Sequence, residues 1–476
     1  MLCAPSVLPN GFFGRDHPAS PLHKENRMSS TTQRLYKRAA KADIVYDVIV
    51  AGGGPAAIGA AVAAAINGAR TLILEGRSQF GGTATAAMWM EINFLFKDNQ
   101  ETSRGGVNQI LIDAIRRWGP DASIPGKRSP KSPGSGGNLD VHPEYLKKVL
   151  FDLFEQYKID YQLYSPVVDV VKEGATLTGV VVGAKEGRVT YRGRTIIDAT
   201  GDGDVAYLAG CAMATEGDEI SGWRPPVTVA WAVCNVDCDR LFAWLDQGIE
   251  LDRHQYKAFN ELINDYRDKG YHLPNWIGLN RTTVPGVVSI NSGTSLNLRL
   301  DCSKSETLTL MEKMAIDQAL EFIRFAREKK IPGMENVCLM RTGGYAMARD
   351  TRRLIGEYQL TGDDIMVGSD FDDTVATKYG GSDPVGQQRP YTAIKQGAKL
   401  PYRMLLPKEV EGLLVAGRCA SATMLGHYGG KSMGNMIAMG QAAGVAAALC
   451  AQQGVTPRQL DAKQIRAKLD AMGVSL

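Results

Sequence analysis

The residues between Asp47 and Glu75 constrain the fold of this chain more than any other segment. Their hydrophobic pattern predicts a strand, a glycine turn, an alanine-rich helix and a second strand, at residues 48–51, 52–54, 56–66 and 71–74. This order is a βαβ unit in which two parallel strands flank one helix. The glycine turn lies where the first strand meets the helix, which is the position of the phosphate-binding turn in dinucleotide sites.

Gly52, Gly54 and Ala57 match the G-x-G-x-x-A form of that dinucleotide pattern. Gly52 permits the tight turn, Gly54 lets a pyrophosphate approach the backbone, and Ala57 allows close packing of helix on strand. The helix N-terminus directs N–H groups and a partial positive charge at the phosphates. Glu75 ends the second strand, where an acid can accept hydrogen bonds from ribose hydroxyls. The segment therefore predicts a dinucleotide site.

Composition places the chain among globular proteins of more than one domain. It has 476 residues, a net charge of +3 and 44% hydrophobic residues. The sequence has no basic stripe with interleaved aromatic residues, so we predict no nucleic-acid binding. The eight cysteines are dispersed, and Cys234 and Cys238 lack the second pair of a zinc site, so we predict no metal and a reducing, cytoplasmic location. No apolar run of 18 residues is free of polar or glycine interruption, so we predict no membrane span.

The first 44 residues differ in composition from the rest of the chain. They are rich in Pro, Ser, Lys and Arg and show little hydrophobic periodicity. A transit peptide, a disordered extension and a translation start at Met28 all fit this composition. We exclude the segment from the fold.

Further along the chain, the pattern predicts the outline of a second nucleotide-binding half. We expect a helix at 143–157, three antiparallel strands at 167–171, 177–184 and 189–197, a long amphipathic helix at 305–329, a strand at 413–416 and a Gly/Ala-rich helix at 434–451. The region between 213 and 390 mixes strands and helices and has a more polar character. We therefore predict an α/β fold: a Rossmann-like domain with a β-meander, interrupted by an inserted α+β substrate domain. The predicted boundaries are 1–44 for the extension, 45–212 and 391–476 for the two parts of the nucleotide-binding domain, and 213–390 for the substrate domain.

Seven motifs in order give the chain a specific resemblance. They include DVIVAGGGPAAIGAA at 47–61, IIDATGDGDVAYLAG at 196–210, RDTRRLIGEYQLTGDDI at 349–365 and MGQAAGVAAAL at 439–449. Over about residues 45–450 the chain resembles FAD-binding proteins of the glutathione-reductase type. More narrowly, it resembles the FAD-dependent oxidoreductase family that is related to fumarate reductase and succinate dehydrogenase flavoproteins.

The resemblance implies FAD as the cofactor and a defined set of contacts to it. The implied FAD-binding residues are Gly52, Gly54, Pro55, Ala56, Glu75, Gly76, Arg77, Gly81, Gly82, Thr83, Val167, Ala199, Thr200, Gly201, Gly417, Arg418, Gly434, Asn435 and Met436. Arg418 stands where many such flavoproteins have Asp, and its charge favours phosphate. No histidine occurs between Gly81 and Met90 of the kind that links covalently to FAD in some relatives, so we expect non-covalent FAD.

Three side chains are candidates for catalysis on the substrate side of the flavin. His427 is the candidate base, because histidine titrates near neutral pH. Tyr402 lies in a segment that resembles one passing the flavin, and its phenol can relay a proton or pack in the core. Lys431 stands where the family often has Arg, and it either binds an anionic or carbonyl substrate or is solvated. Met424 replaces the first histidine of a family His-x-x-His pattern, so the usual substrate chemistry is expected to be altered.

Two other segments have both a functional and a structural interpretation. The arginines at 349, 352 and 353 are interpreted as a scaffold of ion pairs rather than a substrate clamp, with Arg352 expected to face inward. The loop 370–386 is acidic and then glycine-rich, and we interpret it as a lid or as a solvated surface loop.

The sequence therefore predicts an FAD-dependent dehydrogenase or oxidase that transfers a hydride from a small organic substrate to flavin N5. The electron acceptor is expected to be oxygen, a quinone-like carrier or another protein. A flavin-dependent monooxygenase or halogenase on the same fold, and a non-catalytic FAD-binding protein, are the alternatives. The sequence identifies neither the substrate nor the oligomeric state.

Overall fold

The computed structural model describes most of the chain beyond the N-terminal segment. The described residues are 38–86, 91–97, 103–125, 138–217, 222, 224–225, 227–247, 257–269, 272–274, 277–292, 300–379, 397–428 and 432–476.

The strands and helices within these residues follow the chain in a mixed α/β order. The strands are β1 (Val45–Ala51), β2 (Thr71–Leu74), β3 (Glu91–Ile92), β4 (Ser123–Pro125), β5 (Leu139–Val141), β6 (Asp160–Gln162), β7 (Val167–Glu173), β8 (Thr176–Ala184), β9 (Gly187–Asp198), β10 (Met213–Ala214), β11 (Trp231–Cys234), β12 (Ile277–Arg281), β13 (Val288–Ser292), β14 (Cys338–Thr342), β15 (Arg353–Leu354), β16 (Thr374–Lys378), β17 (Ala398–Pro401) and β18 (Leu413–Val415). The α-helices are α1 (Pro55–Ile66), α2 (Gly106–Arg116), α3 (Pro143–Gln156), α4 (Asp204–Leu208), α5 (Cys238–Gln247), α6 (Lys257–Asp268), α7 (Ser305–Glu328), α8 (Gly362–Val367), α9 (Met424–Tyr428), α10 (Met433–Gln453) and α11 (Ala462–Ala471). Short 3₁₀ helices occupy Gly82–Ala84, Tyr402–Leu405 and Pro457–Gln459.

The main sheet confirms the predicted combination of a parallel nucleotide-binding sheet and an antiparallel meander. Its strand order is β6-β2-β1-β9-β8-β7, and β18 also pairs with β9. The pairs of β1 with β2 and β9, of β2 with β6 and of β9 with β18 are parallel, whereas β7, β8 and β9 form an antiparallel meander. The long strand β9 joins both parts, because its first half pairs with β8 and its second half with β1. Residues 48–51 are fully buried, as expected for a strand covered on both faces.

Helices α1 and α10 cross at a separation that only glycine permits. A Cβ on Gly440 would lie 1.9 Å from the carbonyl oxygen of Ala56, and one on Gly444 would lie 2.1 Å from that of Ala60. From the other helix, a Cβ on Gly59 would lie 2.1 Å from the carbonyl oxygen of Ile437. The glycine and alanine content of both helices therefore brings their backbones into direct contact beneath the glycine turn.

Helix α10 is also long and apolar enough to cross a membrane by length and composition. Its mean hydropathy is 1.3 over an 18-residue window, but that whole window is buried inside the fold. In this structure the segment is the central core helix, and its apolar character is explained by packing against α1.

The middle of the chain has its own sheet and its own hydrophobic cluster. Strands pair antiparallel in the order β12-β13-β11-β14, and α5, α6 and α7 contribute buried side chains to the same cluster. Trp231 of β11 lies edge-on to Phe322 of α7, with ring centroids 6.1 Å apart. This is the mixed α and β character that we predicted between residues 213 and 390.

The domain boundaries themselves stay a prediction, and one part of them needs correction. Residues 38–476 form one compact unit. Arg38 forms an ion pair with Asp160 at 3.3 Å, and Ala39 bridges to Tyr161 of β6. Residues 38–44 therefore belong with the described fold and not with the N-terminal extension; residues 1–37 lie outside the described residues.

Candidate functional site

The glycine turn after β1 is in close contact with the end of β9 and with Glu75 at the end of β2. Gly52 has φ +106°, and a Cβ there would lie 2.3 Å from the carbonyl oxygen of Ala199. A Cβ on Gly53 would lie 2.7 Å from Oε2 of Glu75. The turn is thus closed on two sides by the ends of β9 and β2.

Gly54 differs from Gly52 and Gly53 because the space that a side chain on it would occupy is empty in the described structure. Apart from Gly54 and its two chain neighbours, no heavy atom of the described residues lies within 4 Å of the position that a Cβ on Gly54 would take. Helix α1 begins at the next residue, Pro55. The N–H groups of its first turn have no carbonyl within the helix to donate to. Gly82 faces Gly54 from the following loop, where a Cβ would lie 2.9 Å from the Gly54 Cα. We call the space in front of Gly54, between Glu75 and Gly82, the cofactor cleft; its bare backbone and helix N-terminus fit a pyrophosphate.

The acid at the end of β2 holds the next loop in place. Glu75 is buried, and its Oε1 accepts a hydrogen bond from the Arg77 N–H at 2.8 Å. Gly76 packs on Pro166, where a Cβ would lie 3.1 Å from Cβ of that proline. Val167, the predicted adenine contact, follows directly and begins β7. The residues predicted for the adenosine end are therefore brought together.

The loop after β2 returns to the glycine turn. Gly81 has φ +107°, and its N–H donates to the Gly53 carbonyl at 2.8 Å. Thr83 lies in the short 3₁₀ helix that follows. The structure therefore also places this predicted trio beside the cofactor cleft.

The residues that follow β9 lie against the Arg418 side chain. The Ala199 N–H donates to the Ala51 carbonyl at 2.8 Å, and both Thr200 N and Thr200 Oγ1 donate to Asp198 Oδ1. A Cβ on Gly201 would lie 3.1 Å from the Arg418 guanidinium. These contacts place the Asp-Ala-Thr-Gly run against the loop after β18.

Arg418 is already engaged by a carboxylate. Its Nη2 lies 2.5 Å from Asp202 Oδ1, which also accepts from the Thr351 hydroxyl at 2.8 Å. Burial is the largest single influence on the pKa of Asp202 and would raise it, but the Arg418 charge and the hydrogen bonds from Thr351 and Arg418 together outweigh burial, so the net shift is downward. Asp202 therefore stays ionised and balances part of the charge that we expected Arg418 to offer to phosphate.

The loop after β18 and the start of α10 complete the predicted FAD set. Gly417 has φ +98°, and a Cβ there would lie 3.0 Å from that of Ala56. Gly434 contacts the Phe94 carbonyl closely, and Met436 is buried in the first turn of α10. Asn435 was expected beside the flavin.

The Asn435 side chain makes three hydrogen bonds within the protein. Its Oδ1 accepts from Arg104 at 2.6 Å and from the Tyr379 N–H at 3.0 Å, and its Nδ2 donates to the Tyr379 carbonyl. Arg104 is buried, and burial lowers its pKa to about 10. The sequence analysis missed Arg104, because its partner lies more than 300 positions away and no local pattern marks the pair.

The three catalytic candidates have different outcomes. His427 lies in α9, is buried, and has its Nε2 3.1 Å from the Arg349 carbonyl oxygen. Tyr402 is in the core: its hydroxyl donates to the Pro457 carbonyl at 2.9 Å, and burial raises its pKa well above the usual value. The proton-relay interpretation of Tyr402 therefore has no support in this geometry. Lys431 lies outside the described residues.

The arginine-rich motif is a scaffold, but its inward residue is Arg353 and not Arg352 as we expected. Arg353 is buried, pairs with Asp350 and donates to the carbonyl of Ala422. Arg352 is partly exposed and pairs with Asp204. Arg353 lies in the buried strand β15, which pairs with β10, whereas Arg352 precedes that strand.

We predicted a lid or a solvated surface loop at residues 370–386, and this prediction is wrong for part of its first half. Residues Thr374–Lys378 form the buried strand β16, paired with β17, and so are not a surface loop. Residues 380–386 lie outside the described residues. Within the described part of the chain, no group of three His, Cys, Asp or Glu side chains is placed to hold a metal ion.

Known proteins that resemble this chain include flavin-dependent proteins and proteins that carry a reductase name. The family model of FAD-dependent oxidoreductases matches residues 47–469. The chain is 26% identical over 206 residues to a digeranylgeranylglycerophospholipid reductase of Picrophilus torridus, covering 41% of this chain and 49% of that protein. The protein of the same name in Thermoplasma acidophilum is 26% identical over 156 residues, covering 33% and 39%. The chain thus spans half or less of the length of these curated relatives.

Two solved structures align with most of the chain. A geranylgeranyl bacteriochlorophyll reductase-like protein from Thermoplasma acidophilum has a TM-score of 0.47 and 16% identity, covering 90% of this chain and 83% of that one. A flavin-dependent brominase has a TM-score of 0.46 and 14% identity, covering 90% and 84%. Because the family match runs from within β1 to within α11, this chain belongs to the FAD-dependent oxidoreductases and is an enzyme that uses FAD.

Proposed function

We propose that this oxidoreductase removes a hydride and a proton from a small organic substrate such as an alcohol, an amine or a compound activated by a carbonyl group. Bound FAD supplies the hydride acceptor. The protein must supply a base for the proton, and the buried imidazole of His427 is the observation that carries the proposal.

The hydrogen bond of His427 determines which ring nitrogen is basic. A carbonyl oxygen only accepts, so at 3.1 Å from the Arg349 carbonyl the Nε2 atom carries the proton. The neutral ring then has its lone pair on Nδ1. When the ring takes a proton from the substrate, the same carbonyl stabilises the positive charge. The Arg349 side chain, held by Thr228 and Asn291, keeps that carbonyl in position.

The test of this proposal is a histidine substitution measured under single-turnover conditions. A panel of alcohols, amines and carbonyl compounds is first mixed anaerobically with the protein, and the compound that bleaches the flavin fastest is kept. His427→Ala should slow flavin reduction by roughly 10²–10⁴-fold, the usual weight of general-base catalysis. The parent rate should rise with pH through the pKa of the base, and the variant should lose that dependence.

His142→Ala is the matched control, because His142 caps α3 through the Glu144 N–H. It should leave the reduction rate unchanged. A His427→Ala rate within threefold of the parent would remove this residue from the mechanism.

The names of the curated relatives favour a second candidate, reduction of a carbon–carbon double bond in an isoprenoid lipid. In that direction one alkene carbon accepts hydride from the reduced cofactor and the other accepts a proton from an acid. Protein reduced with dithionite should then be reoxidised anaerobically by a geranylgeranyl lipid and not by its saturated analogue. The matched part of those relatives is less than half of their length, so this substrate remains the second choice.

The acceptor and the location are part of the same proposal. Oxygen, a quinone-like carrier or another protein would reoxidise the flavin. The seven cysteines among the described residues form no disulfide, which supports a reducing, cytoplasmic location. Monooxygenase or halogenase chemistry would instead require an external reductant, and a non-catalytic flavoprotein would accept no electrons from any donor in the panel.

A further inference from the structure

A segment from the middle of the chain, Gly343–Thr351, runs along the cofactor cleft and is fixed at several points. The Gly343 N–H donates to the Ala230 carbonyl at 2.7 Å, and the Gly344 N–H donates to the Ala86 carbonyl at 2.5 Å. At its other end, the Thr351 hydroxyl donates to Asp202, the partner of Arg418. The segment therefore connects the loop after Thr83 with the loop after β18.

The ring of Tyr345 projects from this segment onto a predicted cofactor residue. The Arg77 guanidinium carbon lies 3.5 Å from the Tyr345 ring centroid, which is close cation–π stacking. The Arg77 backbone is itself held, because its N–H donates to Glu75 and its carbonyl accepts from the Tyr164 N–H at 3.1 Å. The position of the Arg77 side chain is thus determined by Tyr345 and not by its own backbone alone.

The surroundings of the phenol are those of the cofactor cleft. Burial raises the pKa of Tyr345, whereas the Arg77 guanidinium and the Thr83 hydroxyl lower it; Glu75 and Arg418 also act on the phenol. These four neighbours come from two separate loops, the one after β2 and the one after β18, and all four belong to the predicted FAD set. No pattern in the sequence pointed to Tyr345, because it belongs to the middle region.

We propose that Tyr345 is a positioning residue of the FAD site, by which the middle region holds Arg77 and completes the wall of the cofactor cleft beside Thr83. A flat aromatic ring beneath a guanidinium presents a planar, positively charged surface, and this suits the adenosine diphosphate portion of the cofactor. The proposal rests on the FAD site of the family and is independent of the substrate chemistry.

The test measures FAD binding to protein from which the cofactor has been removed. FAD is titrated while its fluorescence is followed, and the thermal midpoint of the cofactor-free protein is measured in parallel. Tyr345→Leu should raise the Kd for FAD at least tenfold, and Tyr345→Phe, which keeps the stacked ring, about threefold, consistent with the range of cation–π energies. In both variants the midpoint of the cofactor-free protein should stay within about 2 °C of the parent.

A double variant separates positioning from simple packing. In an Arg77→Met background, adding Tyr345→Leu should change the Kd less than twofold, since the guanidinium that Tyr345 holds is already gone. Tyr266→Phe is the control, because Tyr266 lies under Lys329 in the middle region and outside the cofactor cleft; it should leave the Kd unchanged.

Two results would overturn the proposal: an unchanged Kd in Tyr345→Leu, whatever its thermal midpoint, or tighter FAD binding, which would mean that the ring obstructs the cofactor. If Tyr345→Leu fails to fold, Tyr345→Phe decides by the same criteria. Because the readout is binding and not turnover, its failure leaves the substrate proposal untouched.

Discussion

The two ends of this site are built in different ways. At the cofactor cleft, recognition depends on bare backbone: Gly54 leaves space open, and helix α1 starts one residue later. At the reactive end that we propose, His427 depends on a contact across the fold, with the carbonyl of Arg349. The glycine turn of the first end follows from neighbours in sequence, whereas the wall that Tyr345 adds to it and the groups of the second end need the whole chain to be folded.

This difference predicts how each end responds to substitution. A residue added at the cofactor cleft acts by filling space, so its effect is large and falls on one property. A residue changed at the reactive end acts through hydrogen bonds, so its effect is graded. The glycines also differ among themselves, since Gly54 leaves space in the cofactor cleft and Gly440 allows the close crossing of α1 and α10.

The largest effect is expected from Gly440→Val, at the crossing of α1 and α10. A Cβ at this position would lie 1.9 Å from the Ala56 carbonyl oxygen, and neither helix backbone can shift without moving the core. We expect the free energy of unfolding to fall by more than about 3 kcal/mol, the upper end of overpacking costs. Urea unfolding followed by circular dichroism measures it.

Gly54→Ala provides the matched control, because its side-chain direction is open in the described structure. Its φ of −78° suits any residue, so the cofactor-free protein should unfold at the parent urea concentration. If Gly440→Val were as stable as the parent, the close crossing of the two helices would be wrong.

The next effect is expected from Gly54→Val, which should remove FAD binding while sparing the fold. The two methyl groups would occupy the space in front of α1 that the pyrophosphate needs. We expect the Kd for FAD to rise at least 100-fold, or about 2.7 kcal/mol. The purified protein should be colourless, with the thermal midpoint of the cofactor-free parent.

Two results would count against this assignment. Yellow protein with bound FAD after Gly54→Val would place the pyrophosphate elsewhere. Loss of both FAD and soluble protein would show that Gly54 acts on the fold, as Gly440 does, and the distinction between the two glycines would fail.

Much of the cofactor half could be predicted from the sequence, because its signals are local. The βαβ unit, the meander and the late strand and helix were each predicted within a few residues of their structural bounds. Hydrophobic periodicity and glycine spacing are determined within one element, so one stretch of sequence contains the information.

The side chains that act across the fold could not be predicted in this way. Arg353, not Arg352, is buried, because Arg353 lies in β15, and that strand is defined by its pairing with the distant β10. Arg104 and Tyr345 reach their partners from other segments, and neither lies in a recognisable pattern. Tyr402 resembled a flavin neighbour by its local sequence, yet its partner is the carbonyl of Pro457.

Tyr402→Phe gives the smallest effect and tests that last difference directly. The hydroxyl makes one buried hydrogen bond, to Pro457, and burial keeps its pKa far above neutral pH, so the phenol is no base at working pH. Removing it leaves a buried carbonyl unsatisfied and should lower the free energy of unfolding by about 1–2 kcal/mol. The rate of flavin reduction and the Kd for FAD should stay within twofold of the parent. If instead the rate fell tenfold or more while stability held, Tyr402 would act on the substrate after all, and the division that we propose between a core tyrosine and a catalytic histidine would be wrong.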